Sequence, residues 1–152
     1  DVASVEPLSL SSLGSRLAAV LVLVLLNGFF VMAEFALVGA RRSKLAAMAE
    51  AGDRGARRAQ RAVADLDRYI SGTQLGITLA SLALGWIGEP ALAIVVDRVL
   101  AQFGIDVPAG MAHTAAGTIT AFVIITFLHI VLGELAPKSV ALVMPEKISV
   151  TA

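Results

Sequence analysis

The chain has 152 residues, twelve Lys/Arg against twelve Asp/Glu, 57% hydrophobic residues and a mean hydropathy of +0.83. That apolar content exceeds the roughly 45–50% of ordinary soluble domains, so the surplus has to face something other than water. A net charge of zero offers no global field to recruit nucleic acid, and the lack of cysteine excludes disulfides, thiolate metal sites and cysteine nucleophiles.

The first apolar stretch covers 17–40 and is interrupted only by Asn27 and Glu34. It exceeds the ~20 residues that cross a hydrocarbon core. It predicts a transmembrane helix over 13–40 behind an outer tail, 1–12, and is too long for the ~7–15-residue apolar region of a signal peptide. The next segment, 41–70, carries Arg41, Arg42, Lys44, Arg54, Arg57, Arg58, Arg61 and Arg68, eight of the twelve basic residues. The positive-inside rule places it in the cytoplasm, with the N-terminus outside and the C-terminus inside. Apolar residues at helical period (Leu45, Met48, Ala49, then Ala56, Ala59, Val63, Leu66, Ile70) and a turn at Gly52 and Gly55 predict a helical hairpin. Arg41, Arg42, Arg57, Arg58 and Arg61 are then positioned to meet anionic lipid.

The second stretch, 71–102, is punctuated by Gly76, Gly85, Gly88, Glu89 and Pro90 and predicts a span broken near Gly88–Pro90. The third, 111–135, is rich in β-branched residues, and 136–152 reads as the start of a cytoplasmic linker. The fold class is therefore an all-α membrane protein with three transmembrane helices and a cytoplasmic juxtamembrane hairpin. Three spans do not enclose a pore alone, and small residues at Gly76, Ala80 and Ala83–Gly85 permit the close helix approach of a homodimer.

Acids inside apolar spans are functional candidates because an ionised carboxylate is expensive there. Glu34 lies in the first span, Glu89 in the Gly-Glu-Pro element and Glu134 directly after the third stretch. Each also has a structural reading: Glu34 as a snorkelling or interhelical residue, Glu89 as an outer cap, Glu134 as a partner of Lys138 four residues on. Asn27, Thr73, Gln74, Thr78, Ser81, Thr118, Thr120 and Thr126 add amide and hydroxyl oxygens, which also suit ordinary helix-to-helix bonding. Magnesium takes six oxygens, usually with one or two carboxylates, so this donor set suits it. Pro137 cannot donate to the carbonyl of Gly133, leaving that oxygen available to an ion. The two histidines, His113 and His129, are too few and too far apart in sequence for an imidazole-rich zinc site. No phosphate-binding loop, nucleophile elbow or zinc-protease motif is present, so an enzyme is not expected.

Three segments, NGFFVMAEFALVGARR from Asn27, SGTQLGITLASLALGWIGEP from Ser71 and HIVLGELAPKS from His129, resemble the membrane domain of the CorC/HlyC and CNNM families, also called DUF21 and historically labelled haemolysin-like. The similarity extends over nearly the whole chain from Leu17. It implies a dimer of three transmembrane helices with a cytoplasmic hairpin, associated with magnesium transport and with sodium-coupled export. It places the ion on Asn27, Ser81 and Glu134, with the Gly133 carbonyl beside them and Glu34, Thr78 and Glu89 as secondary groups on the ion pathway. Where relatives carry a small hydroxyl one turn after Asn27, this chain has Val31, so water or another carbonyl completes the shell. The resemblance also implies a cytoplasmic CBS-domain pair and a further domain beyond these residues, so the chain looks like an excised fragment. Alternating access is the expected mechanism, and a non-transporting magnesium sensor or a dimerising membrane anchor are the rivals.

Overall fold

The structure is a computed structural model, and it describes residues 10–104 and 115–152. His113, Asp106, the beginning of the third apolar stretch and most of the expected outer tail lie outside the described residues. The described chain is entirely helical: α1 (Leu10–Gly39), α2 (Arg42–Glu50), α3 (Arg54–Ala64), α4 (Leu66–Gln102), α5 (Ala115–Leu128), a π-helical stretch (His129–Leu135), α6 (Ala136–Val143) and α7 (Pro145–Thr151). Three segments are long and apolar enough to cross a membrane: Ser12–Gly39, Leu66–Val96 and Ile119–Val143. Many of their leucines and aromatics, among them Leu21, Leu25, Leu79, Trp86 and Phe122, are exposed, while Asn27 is fully buried. That inversion of the usual soluble pattern suits a chain whose solvent is lipid.

The second span is not broken. Helix α4 runs through Gly88, Glu89 and Pro90 without interruption. The expectation of a break applied a rule for water, where released backbone groups are solvated. Proline removes one donor, that for the Trp86 carbonyl, but opening the helix in an apolar medium would leave several groups unsatisfied at several kcal/mol each. The third span also differs from expectation. It runs past Leu135 to Val143, so Pro137 starts α6 rather than ending the helix. Its effect appears one turn earlier, as a shift of the hydrogen-bond ladder to the wider π register, in which the Ala136 N–H donates to the Val131 carbonyl.

The chain forms two compact units. The first combines the N-terminal residues through Leu23 with Leu82–Phe127. At its centre Gly88 is hemmed in by Ile125, Leu84 and Val20, and Ala91 and Ala121 are fully buried, the small-residue packing that lets membrane helices approach closely.

The second unit combines Val24–Ser81 with Leu128–Ala152. Leu37, Leu45, Ala59, Ala62 and Val63 form its core, with Ala40, Leu66 and Val150 packed on it. The basic segment folds here as α2 and α3, which pack on each other. Gly52, with φ of 99°, makes the left-handed turn between them, and Asp53 caps α3 by accepting from the N–H groups of Gly55 at 2.8 Å and Ala56 at 3.1 Å. Gly55 lies so close to Val150 that a Cβ there would sit 2.5 Å from its carbonyl, which seats α3 on α7. Of the small residues expected to face a second copy, Gly76 is covered by the Phe30 ring of the same chain and Ala80 is buried, whereas Gly85 faces open space.

Candidate functional site

In the second unit, α1, α4 and the π stretch bring five polar groups into one chain of contacts. The Asn27 side-chain amide donates to the Gly133 carbonyl at 3.0 Å. Its carbonyl oxygen, Oδ1, accepts from the Ser81 hydroxyl at 3.3 Å. Ser81 Oγ is also 3.3 Å from His129 Nε2, and Nε2 in turn stands 3.2 Å from Oε1 of Glu134. The same ring edge faces the Glu134 carboxylate, which only accepts, so the contacts are satisfied together when Nε2 carries the hydrogen and the Ser81 hydroxyl donates to Asn27. His129 Nδ1 is buried and has no hydrogen-bond partner among the described residues. With the hydrogen on Nε2, Nδ1 is an acceptor, less costly to bury than an orphaned N–H.

Local structure explains the convergence. Gly133 allows this close approach: a Cβ there would sit 3.2 Å from Asn27 Nδ2 and 3.3 Å from His129 Nδ1 and would press on both side chains. His129 and Glu134 are five residues apart, which an α-helix would place on different faces but the π register aligns. The π stretch itself follows from Pro137, which cannot donate to Gly133.

Of the residues singled out in the sequence, Asn27, Ser81, Glu134 and the Gly133 carbonyl are brought together. Glu34 and Thr78 share an open groove of about 470 Å³ with Glu134, Gln74 and Lys138. Within it the Lys138 ammonium lies 4.6 Å from the centre of the Phe35 ring. Glu34 Oε2 is 3.2 Å from the Thr73 hydroxyl, which also donates to the Ile70 carbonyl at 2.9 Å, and the Thr78 hydroxyl is taken by the Gln74 carbonyl at 2.8 Å. Glu89 and Pro90 belong to the first unit. His129 is the member of this chain of contacts that the sequence did not single out as a site residue. Its signal was the i, i+5 spacing to Glu134 ahead of a proline, which a purely α-helical reading discards.

The basic residues divide. Arg41 Nε and Lys44 Nζ contact the two oxygens of Glu146 at 3.0 and 3.1 Å. The Arg41 hydrogen bond holds the Glu146 carboxyl down at about 2, helped by Lys44 and opposed by burial. Arg42 donates to the Val63 carbonyl at 3.0 Å. Arg57, Arg58 and Arg61 stay exposed on α3.

The donor set has the oxygens a hard cation needs and lacks the clusters a soft one prefers. Among the described residues no three His, Cys, Asp or Glu side chains gather as a metal-binding group. A family profile described as the cyclin M transmembrane N-terminal domain, CNNM, matches residues 17–152. The chain belongs to the CNNM family. This CNNM domain is 42% identical over 134 residues to UPF0053 protein YugS of Bacillus subtilis, covering 88% of this chain and 30% of that protein. It is 42% identical over 128 residues to UPF0053 protein YhdT of the same organism, covering 84% of this chain and 27% of the relative. With uncharacterized protein Rv1841c of Mycobacterium tuberculosis it shares 44% identity over 135 residues, 86% of this chain and 37% of that one. The CNNM domain thus spans less than two-fifths of the length of these relatives.

Proposed function

We propose that this CNNM domain carries a hard divalent cation, Mg²⁺, across a bacterial cell membrane, with Na⁺ as the coupling ion for export. The observation that carries the reading is the chain of contacts that links the Gly133 carbonyl, the buried Asn27 amide, Ser81 Oγ and, through His129, Glu134. Asn27 Oδ1 and Ser81 Oγ are 3.3 Å apart. Neighbouring ligands of an octahedral Mg²⁺ at ~2.1 Å are separated by about 3.0 Å, so these two oxygens need little movement to share an ion. Glu134 supplies the negative charge that offsets dehydration, and water completes the shell on the side occupied by Val31.

The cycle follows from what the groups now satisfy. Cation arriving along the groove that holds Glu34, Thr78 and Glu134 displaces the Asn27 amide from the Gly133 oxygen, and release restores the bond. In this reading the working form is a homodimer, α2 and α3 lie at the inner leaflet with Arg57, Arg58 and Arg61 toward anionic lipid, the N-terminus is outside, and the longer protein couples through cytoplasmic CBS domains.

The test is calorimetric titration of Mg²⁺ into the detergent-purified chain, beside Glu134→Gln, followed by flux in liposomes. Saturable binding in the wild type that Glu134→Gln abolishes, together with Mg²⁺ efflux, is the expected result. Binding that the variant leaves intact would overturn the site, and binding without flux would replace transport by sensing.

A further inference from the structure

We propose that His129 sets the preference of this site for a small divalent cation by holding one oxygen of Glu134, so that the carboxylate presents a single oxygen to the ion. The inference rests on the transport-site reading above and adds to it a residue outside that ligand set.

The geometry is specific. His129 Nε2 is 3.2 Å from Glu134 Oε1 and 3.3 Å from Ser81 Oγ, so one ring edge touches two of the proposed ligands at once. The His129 side chain is only 15% exposed, whereas that of Glu134 is 47% exposed. The imidazole is therefore the fixed partner and the carboxylate the adjustable one. Nε2 faces the Glu134 carboxylate, an acceptor only, so the tautomer with hydrogen on Nε2 is the one that satisfies this edge. Gly133, whose Cβ would lie 3.3 Å from Nδ1, leaves room for the ring in this orientation. An Nε2–H edge lowers the electrostatic energy of Oε1 and competes with any cation for it.

The consequence differs between cations. Mg²⁺ demands near-octahedral geometry at about 2.0–2.1 Å and is content with one oxygen from a carboxylate, whereas Ca²⁺ takes six to eight oxygens at 2.3–2.6 Å and often both oxygens of one carboxylate. A Glu134 with Oε1 held by His129 offers Oε2 alone. That suits Mg²⁺ and deprives Ca²⁺ of a ligand. Partners that orient a metal ligand in this way are commonly worth 10–100-fold in affinity. His129 is thus a positioning residue, acting on the ion through Glu134 and Ser81.

The test is competitive titration of Mg²⁺ and Ca²⁺ into the purified chain in detergent for wild type, His129→Leu and His129→Gln, with monodispersity and helical content recorded for each. Leucine removes the donor at similar bulk, and glutamine restores an N–H able to reach Oε1. The expected result is a drop of about tenfold or more in the Mg²⁺-over-Ca²⁺ affinity ratio for His129→Leu, from weaker Mg²⁺ and unchanged or tighter Ca²⁺, with most of the ratio recovered in His129→Gln. A merely structural role would weaken both ions together. Should His129→Leu bind Mg²⁺ with the wild-type ratio, or should both ions weaken equally, the inference fails while the transport site stands. Absence of saturable Mg²⁺ binding in the wild type would overturn both readings. If His129→Leu does not fold, His129→Gln alone decides: a ratio within twofold of wild type supports the donor role, and loss of the ratio with the N–H retained overturns it.

Discussion

The side-chain amide of Asn27 donates to the Gly133 carbonyl at 3.0 Å, closing a link between residues 106 positions apart in the sequence. The amide is fully buried, so each of its atoms needs a partner, and Gly133 and Ser81 provide them. Asn27→Asp keeps the shape but replaces the donor with an oxygen aimed at the Gly133 oxygen. Two acceptors then face each other unless a cation sits between them. We expect a less stable apo protein, by about 1–3 kcal/mol, and a larger rise in melting temperature on adding Mg²⁺ than in wild type. Thermal melts in detergent with and without Mg²⁺ check this, and an equal Mg²⁺ shift in both proteins would count against Asn27 as a ligand.

Gly133 and Gly85 form a matched pair for substitution by alanine. At Gly133 the new methyl would press on Asn27 Nδ2 at 3.2 Å and His129 Nδ1 at 3.3 Å, while at Gly85 nothing lies within 4 Å. Gly85→Ala should be neutral or stabilising by about 0.5–1 kcal/mol, as expected for glycine replaced inside a helix. Gly133→Ala should lose about 1–3 kcal/mol as the buried amide is displaced from its acceptor, and its Mg²⁺ binding should weaken. Melting temperatures and calorimetry of the two variants, compared directly, provide the check.

Three apolar spans and the basic segment were legible because they depend on composition, and the approach of Asn27, Ser81 and Gly133 was foreshadowed by the resemblance to the CNNM family. Two features were not. Pro90 reads locally as a breaker, yet α4 passes through it, since an apolar surrounding penalises an opened backbone more than one lost hydrogen bond. His129 was weighed only as one of two distant histidines for a zinc site, and its approach to Glu134 at 3.2 Å depends on the π register near Pro137, which an α-helical period does not show. The Arg41–Glu146 pair was equally hidden, because contacts between distant surface charges leave no periodic trace.

Pro137→Ala tests the origin of that register. An N–H at position 137 gives the Gly133 carbonyl its ordinary helical partner, and the ladder can return to α spacing. Five residues of α-helix turn by about 140° beyond one full revolution, which would swing Glu134 away from His129. Mg²⁺ affinity should fall by about tenfold or more with helical content preserved. A cross-link between cysteines introduced at 129 and 134 should form less readily in the variant. Unchanged affinity would show that the π stretch is held by packing rather than by the proline.

Glu146 fastens α7 to the start of α2 through Arg41 and Lys44, and the asymmetry of exposure makes the acid the vulnerable member: its side chain is 5% exposed against 72% for Arg41 and 51% for Lys44. Its carboxyl is depressed from 4.5 to about 2, so the pair contributes fully above about 4.5 and is lost as pH falls through about 2. Nothing should change between pH 7 and pH 5. Glu146→Gln removes the charge at every pH, leaving two cations without their acid, and should expose the junction at Met144 between α6 and α7 to proteolysis at pH 7. Limited proteolysis at pH 7 and pH 5 follows both proteins, with wild type resistant at both and the variant cleaved at both. Resistance of the variant would mean that the seat of α3 on Val150 alone holds α7 in place.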